Sequence, residues 1–244
     1  MIYCPIYIYH HNFFVINIVK VIMINLSTGL YIIVIFVLLY TMFSFLYKSK
    51  KIDVRASDGN IYEVADFPNK QEAAELIARV NSSIIKLLKY MRDKYTNGNL
   101  GGTTDRELIT LSMLNNFNFE KIIETDPRYE SGTSTTLNKG EKMYICVRQR
   151  PIDTEEAVYR SGYDYPLCDF NTVMFVVIHE LSHIAAYDTW FHTTRFWEVF
   201  KFVLKNAVEL GVYHNVDYSK HKTRYCGLVI NYNPIFDTTL KEIR

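Results

Sequence analysis

A chain of 244 residues with 27 basic and 26 acidic side chains is long enough for one domain of ordinary size and an appended segment. Its near-neutral charge excludes the strongly basic footprint of a typical nucleic-acid-binding protein, and its nineteen Tyr and fifteen Phe exclude a largely disordered chain. The cysteines show no Cys-x-x-Cys spacing, so the sequence predicts reduced, buried thiols rather than a disulfide framework or a cysteine zinc site. They are Cys4, Cys146, Cys168 and Cys226.

The first 51 residues differ in composition from the rest, because they contain four lysines and no acidic residue. Residues 29–47 carry no charge, and a helix of nineteen residues spans about 28 Å, close to the hydrocarbon thickness of a bilayer. Lys48, Lys50 and Lys51 follow directly. The pattern predicts an N-terminal membrane anchor over residues 1–51, with a transmembrane helix over about 29–47. A cleaved signal peptide is the alternative, but the apolar run is too long and no small-residue cleavage site follows it.

The lysines after the predicted span indicate its orientation. A single-pass protein with this asymmetry keeps its C-terminal domain on the cytosolic side or an equivalent interior side of the membrane. An earlier apolar stretch, residues 13–24, is interrupted by Asn17 and Lys20 and is either an interfacial segment or a weak second span. Met23 offers an alternative start, which would leave a compact anchor over residues 23–51.

Residues 52–244 form the second predicted domain. A strand is expected over residues 61–65, and an amphipathic helix is expected from an Asn69 cap to about residue 95. Thr104 and Glu107 have the spacing of a capping box, which predicts a shorter helix to about residue 114.

A strand is expected within residues 119–124, and a β-hairpin over residues 134–148. The hairpin is either plain sheet structure or a functional edge, because an exposed edge strand can bind an extended peptide through main-chain hydrogen bonds. The polar residues 149–168 predict a surface loop, and Asn171 is the expected cap of the helix that follows.

That helix carries the sequence His-Glu-x-x-His within an almost entirely apolar stretch, which predicts that it is buried. Residues four apart lie on one helix face, so His179 and His183 can direct two imidazoles at one point, as two ligands of a tetrahedral zinc do. Glu180 is close enough to accept a proton from a water that the metal activates. The alternative is a core helix whose histidines hydrogen-bond to the backbone, because buried polar groups without partners are costly.

A catalytic zinc site uses three protein ligands, and His192 is the expected third. It lies nine residues after His183, where a short turn between helices can bring it back over the first two ligands. A surface histidine at a helix start is the alternative interpretation. Glu198, Asp188 and His214 are the rival ligands.

After His192, an apolar stripe predicts a further helix over residues 196–207, ended by Gly211. Residues 213–237 lack a regular pattern.

The C-terminal half also carries motif residues of a known family. They are Thr133-Ser134, Asn138-Lys139-Gly140-Glu141, Asn171-Thr172, His179-Glu180-Leu181, His183, His192, Phe196-Trp197, Tyr213, Asp217-Tyr218 and Tyr225-Cys226-Gly227. On these residues the chain resembles the zinc metallopeptidases of large DNA viruses, which are distant relatives of the SprT and WLM metallopeptidases. The resemblance covers about residues 56–237 and is specific from Thr133 onward.

The resemblance implies a zincin-like α+β metallopeptidase domain with a small mixed sheet and an active-site helix. It implies a Zn²⁺ cofactor held by His179, His183 and His192, with Glu180 as the catalytic residue. SprT and WLM proteins complete their site with a third histidine followed by a bulky aromatic residue, which His192 and Phe196 resemble. The loop between the second and third histidines differs from the glycine-containing loop of metzincins, so that class is disfavoured.

The leading prediction is a membrane-anchored zinc-dependent endopeptidase, a hydrolase that acts on protein or peptide substrates with Glu180 as general base. One alternative is a catalytically inactive protein of a membrane or virion that zinc stabilises. Another is a protease for DNA–protein crosslinks. The anchor and the acidic second domain, with 23 basic and 26 acidic residues, disfavour that alternative. The candidates for stabilising the oxyanion are Tyr213, Tyr218, Tyr225 and His214.

Overall fold

The computed structural model describes residues 29–42, 51–96, 104–128, 133–150, 165–186 and 192–244. The chain divides into two compact units, Met1–Lys48 and Ser49–Arg244.

In the first unit, residues 29–42 form helix α1, whose large apolar side chains are all exposed. None of the helices in the described ranges combines the length and the apolar character that crossing a bilayer requires. The transmembrane helix predicted over residues 29–47 is therefore not supported. Its last part, residues 43–47, lies outside the described residues.

The second unit contains a mixed five-stranded sheet. Its strands are β1 (Lys51–Arg55), β2 (Ile61–Ala65), β3 (Ile122–Glu124), β4 (Thr135–Leu137) and β5 (Lys142–Ile145). Their spatial order is β1-β2-β3-β5-β4. The two central pairings, β2 with β3 and β3 with β5, are parallel, whereas β1 and β4 pair antiparallel with β2 and β5 at the two edges. The order places β4 at one edge of the sheet.

The sheet packs against the helices of the same unit, and a small hairpin follows the last helix. These elements are α2 (Lys70–Tyr95), α3 (Asp105–Asn116), α4 (Phe170–Ala185), α5 (Thr194–Leu210), β6 (Thr223–Tyr225) and β7 (Leu228–Ile230). Apolar side chains from the sheet and from α2, α3, α4 and α5 form one buried core. The unit is therefore a mixed α+β domain with a small mixed sheet, which agrees with the expected fold class.

Several predicted elements are present with nearly the expected bounds. Strand β2 covers the expected residues, and β4 and β5 form the expected antiparallel hairpin. The capping box of α3 is formed, because the Glu107 N–H donates to Thr104 Oγ1 and the Thr104 N–H donates to Glu107 Oε2. Helix α5 ends at Gly211, whose φ of 77° is the left-handed conformation that favours glycine.

Asn69 is the N-cap residue of α2, as predicted. The side-chain caps predicted for Asn69 and Asn171 are not formed, because both asparagines bind partners that are distant in sequence. Asn69 makes no side-chain cap for α2, and its Oδ1 accepts a hydrogen bond from Arg148 instead. Asp169, rather than Asn171, caps α4 by accepting from the N–H of the third helical residue. The side chain of Asn171 is hydrogen-bonded to the backbone of His214.

Two strand pairs and one disulfide were not expected. Strand β1 completes a hairpin with β2, and β6 pairs with β7 where the sequence lacks a regular pattern. Cys146 and Cys226 form a disulfide with their Cα atoms 6.3 Å apart, so the prediction of reduced thiols is wrong for this pair. The two cysteines are separated by 80 residues, and only the fold brings them together. Cys168 is a free, buried thiol.

A fully buried ion pair connects several elements of the second unit. Arg148 Nε donates to Glu124 Oε1 at 2.6 Å, and both side chains are 0% exposed. Glu124 Oε2 accepts from the Ala65 N–H at 2.8 Å, and Arg148 Nη1 donates to Asn69 Oδ1. The guanidinium also lies over the Phe67 ring, 4.5 Å from its centroid. The pair thus joins the ends of β2 and β3 to the start of α2 and to the segment after β5.

We expect Glu124→Gln to lower the free energy of unfolding by about 3–5 kcal/mol, because it leaves the buried guanidinium without its counter-charge. Chemical denaturation followed by circular dichroism measures this change. Asp93→Asn is the matched control, since its partner Arg92 is exposed and exposed pairs contribute little to stability. An equally small effect of both substitutions would contradict the structural role of the buried pair.

Candidate metal centre

Helix α4 carries the His-Glu-x-x-His sequence through the middle of the core. Its first turn is fixed by the Asp169 cap, and its last turn is held where Ser112 Oγ donates to the Ile184 carbonyl oxygen at 3.0 Å. Its apolar side chains are buried against α2, α3 and α5. With both ends fixed, the helix holds His179 and His183 toward one opening in the core.

The ring nitrogens of three histidines converge at this opening. His183 Nε2 lies 3.2 Å from His179 Nε2, and His192 Nε2 lies 3.0 Å from the same atom. The candidate ligand atoms of all three lie within 4.8 Å of one another. Ligands at about 2.1 Å from a tetrahedral zinc stand about 3.4 Å apart. The three imidazoles could therefore hold one metal ion.

The start of α5 positions the third histidine. Thr193 caps this helix by accepting from the Phe196 N–H at 3.3 Å. His192 directly precedes the cap, so the fixed helix start also fixes the backbone that carries the imidazole.

Burial and mutual proximity keep the three imidazoles neutral. Burial, followed by the nearby His183 and His192, lowers the pKa of His179 to about 3. Burial, followed by His192, lowers the pKa of His183 to about 4, and burial also lowers the pKa of His192. Neutral imidazoles keep a nitrogen lone pair at pH 7, which metal ligation requires.

Helix α5 supplies an aromatic wall beside the three histidines. His183 stacks on Phe196 with ring centroids 4.2 Å apart, and His179 lies 5.2 Å from Phe200. The third histidine lies 5.4 Å from Trp197. Each imidazole therefore has an apolar ring from α5 as a neighbour, which restricts its rotation and excludes water from that side.

Glu180 lies beside the histidines with a buried carboxylate. Its Oε2 accepts a hydrogen bond from Thr136 Oγ1 on β4 at 3.2 Å. Burial raises the pKa of Glu180 to about 7, and the hydrogen bonds from Thr136 oppose this rise only in part. A carboxylate whose pKa is close to neutral is suited to accepting and releasing a proton.

The histidines and Glu180 line a cleft of about 690 Å³. Strand β4 contributes all three of its residues to the lining, and β7 with the two residues after it contributes residues 228–232. The site is therefore open to a ligand much larger than a metal ion.

The rival ligands in the described part lie away from this cleft. Glu198 Oε1 accepts from the Lys241 N–H at 3.3 Å, and the backbone of His214 is held by Asn171. Neither lines the cleft. Asp188 lies outside the described residues.

Among the four candidate oxyanion donors, Tyr225 is the one that lines the cleft. Its hydroxyl donates to the Cys146 carbonyl oxygen at 2.7 Å and is hydrogen-bonded to Ser134 Oγ at 2.7 Å. Both hydrogen bonds of the Tyr225 hydroxyl therefore fix the position of the β6–β7 hairpin. Tyr213 and Tyr218 pack against Phe175, away from the opening.

Neither the partner of Glu180 nor the β7 wall of the cleft was predicted from the sequence. Thr136 lies in the predicted hairpin, but no local pattern indicates which of its residues faces the helix. Residues 228–232 lie in a region without periodicity, and strands of three residues are too short to give a signal.

No protein-family model matches the chain. The chain is 31% identical over 170 residues to "Uncharacterized protein R325" of Acanthamoeba polyphaga mimivirus, and the match covers 70% of this chain and 77% of that protein. It is 34% identical over 103 residues to "Uncharacterized protein 136R" of Invertebrate iridescent virus 6, which covers 42% of this chain and 49% of that protein. Both relatives are viral proteins.

Among solved structures, Wss1 from Saccharomyces cerevisiae is similar, with 17% sequence identity and a TM-score of 0.40. The similarity covers 60% of this chain and 86% of that chain. A likeness of this extent carries no information about function.

We expect the purified protein to bind about one zinc per chain, and His179→Ala or His183→Ala to lose most of it, because three ligands are needed to hold zinc tightly. Loss of a residue that only hydrogen-bonds to a metal ligand lowers metal affinity by about 10- to 100-fold. Loss of the ligand His192 in His192→Ala should therefore weaken zinc binding at least about 10-fold. Metal analysis and competition with a chelator measure this.

His214→Ala and Glu198→Ala are the controls, because both residues lie outside the cleft. Both variants should retain wild-type affinity. Unchanged affinity in His192→Ala would remove it from the ligand set.

Proposed function

The chain belongs to the protein family of R325 from Acanthamoeba polyphaga mimivirus, and we propose that it is a zinc-dependent endopeptidase that acts on protein or peptide substrates. In this proposal the Ser49–Arg244 unit is a zincin-like metallopeptidase domain. The observation that carries the proposal is the convergence of three imidazoles beside one buried carboxylate in an open cleft. Zinc is the proposed metal, because tetrahedral sites with nitrogen ligands and one open position are typical of catalytic zinc.

The three histidines, Glu180 and Thr136 each have a role in this proposal. When bound, zinc supplies a Lewis acid that polarises the peptide carbonyl and activates water. His179, His183 and His192 would hold it. Glu180 accepts the proton of the attacking water as general base and returns it to the leaving amine. Thr136 is a positioning residue, because its 3.2 Å hydrogen bond orients the Glu180 carboxylate.

Strand β4 supports a peptide rather than another polymer as the substrate. It is an edge strand that pairs with β5 in the described part of the sheet, and Thr135, Thr136 and Leu137 all line the cleft. An extended peptide can add to such an edge through main-chain hydrogen bonds. That arrangement would bring the peptide backbone beside Glu180.

The alternative of an inactive protein stabilised by zinc is less well supported. A purely structural site would require the histidines but has no use for a buried carboxylate in the same cleft. Burying Glu180 is costly, and its hydrogen bond to Thr136 holds it beside the three imidazoles. The carboxylate therefore favours the enzyme.

We expect Glu180→Gln to reduce peptide hydrolysis by about 10²- to 10⁴-fold, because it removes the general base and keeps the size of the side chain. Zinc content and thermal stability should stay at wild-type values. The assay is cleavage of an unfolded protein by wild type and variant side by side.

Glu198→Gln is the matched control, since it makes the same chemical change outside the cleft and should leave hydrolysis unchanged. Equal cleavage by wild type and Glu180→Gln would reject Glu180 as the base. Failure of zinc-loaded wild type to cleave any protein in a broad panel would favour the structural alternative.

We also propose that the N-terminal unit attaches the protein to a membrane. Helix α1 exposes its large apolar side chains over its whole length, and water disfavours a continuous apolar surface of this kind. Lys48, Lys50 and Lys51 follow within a few residues. Their position favours a location of the second unit on the cytosolic or virion-interior side.

We expect the full-length protein to stay with membranes through an alkaline carbonate wash, since apolar burial does not depend on charge. Ile33→Lys combined with Val37→Lys should release it, because a charged side chain in hydrocarbon costs about 2.5–3.5 kcal/mol. Ile61→Lys, an equally exposed apolar position in the second unit, is the control and should remain membrane-bound. Release of the wild-type protein by the wash would reject this attachment.

A further inference from the structure

The β6–β7 hairpin is a fixed wall of the cleft. The Cys146–Cys226 disulfide joins its turn to the segment after β5, and the Tyr225 hydroxyl donates to the Cys146 carbonyl oxygen. Gln149 adds two hydrogen bonds, because its Nε2 donates to the Arg224 carbonyl oxygen at 3.0 Å and its Oε1 accepts from the Cys226 N–H at 3.3 Å. The wall is therefore positioned before any ligand binds.

On the side of this wall that lines the cleft, strand β7 exposes apolar side chains. The described part of the Ser49–Arg244 unit exposes seven large apolar side chains: Ile61, Ile85, Leu108, Leu137, Leu228, Val229 and Phe236. Three of them line the cleft that contains the histidines. They are Leu137 on β4 at 43% exposure, and Leu228 and Val229 on β7 at 57% and 52%. Exposed apolar side chains that cluster around a cleft indicate a ligand that buries them.

The remaining lining of the cleft carries little charge. Apart from the three histidines and Glu180, Lys139 is the charged residue among the described residues that line it. Lys139 lies in the turn that follows β4. Phe175, Val176 and Ile230 extend the apolar lining. A charged substrate side chain would therefore lose its hydration against Leu228 and Val229, and the cleft-lining residues of β7 carry no counter-charge. Arg224 pairs with Val229 on the neighbouring strand but does not line the cleft.

We propose that the substrates are peptide segments with a bulky apolar side chain next to the cleaved bond, and that Leu228 and Val229 select this side chain. The proposal rests on the peptidase function proposed above and specifies its substrate class. The apolar side chain of the substrate buries the exposed side chains of β7, while its backbone lies along β4 beside the metal-binding histidines.

The test uses full-length, zinc-loaded protein and a series of peptide hydroxamates that differ in one side chain. The hydroxamate group chelates zinc, so the affinity is measurable by calorimetry without any turnover. We expect the Leu and Phe probes to bind at least about 10-fold more tightly than the Gly probe, because burial of a large apolar side chain contributes that much. The Asp and Lys probes should bind no more tightly than the Gly probe.

Substitutions at Leu228 and Val229 test whether the hairpin causes the preference for the Leu probe. Leu228→Asp and Val229→Asp should each reduce the Leu-over-Gly preference to within about threefold, with unchanged zinc content. Both positions are exposed, so the substitutions should leave the thermal unfolding midpoint close to that of wild type. Leu108→Asp is the matched control, since Leu108 is 54% exposed on α3 and does not line the cleft. It should retain the full preference.

Several outcomes would overturn the proposal. They are equal binding of the Gly and Leu probes, tightest binding of the Asp probe, no binding of any probe, and an unchanged preference in both hairpin variants. Cleavage of a peptide library separates this proposal from the peptidase function. Zinc-dependent cleavage without side-chain preference would reject the substrate class alone, whereas a Leu preference in binding without any cleavage would reject the peptidase function alone.

Discussion

The second unit depends on one constraint: a core helix carries two partly buried imidazoles and one buried carboxylate, and the exposed His192 lies against them. Polar groups at such a position are costly unless they are paired or bind a metal. His179 Nε2 lies 3.2 Å from His183 Nε2 and 3.0 Å from His192 Nε2, so the two nitrogens of either pair are too close for both to carry a proton without repulsion. Burial is the main cause of their lowered pKa values, and one cation bound by all three nitrogens would remove the conflict between them.

The surrounding elements meet this requirement from different sides. Helix α5 places aromatic rings beside the imidazoles and carries His192 at its start, so one element supplies both the third nitrogen and its apolar environment. Thr136 on strand β4 donates a hydrogen bond to Glu180, and this bond holds the carboxylate beside the imidazoles. The open side faces β4 and the hairpin, where a polymer in an extended conformation fits the available edge. The elements that fix the three histidines and Glu180 thus also fix which side of the cleft is open.

Local patterns predicted the parts of this arrangement that depend on local interactions. The apolar periodicity located α4 and α5, the Thr104–Glu107 spacing located the start of α3, and the four-residue spacing placed two histidines on one face. The side-chain caps predicted for Asn69 and Asn171 are not formed, because each side chain binds a group that is distant in sequence. The disulfide, the hydrogen bond from Thr136 and the β6–β7 hairpin likewise depend on contacts that only the folded chain creates.

The buried ion pair and the cleft wall share one residue, which connects stability with the site. Both sulfur atoms of the Cys146–Cys226 disulfide lie against the carbonyl oxygen of Arg148, at 3.1 and 3.4 Å. The guanidinium of the same residue is held by Glu124. A change that releases Arg148 therefore acts on the backbone to which the hairpin is joined, although it touches no metal ligand. The backbone of Arg148 thus contacts the disulfide of the hairpin wall, and its guanidinium belongs to the buried charge pair.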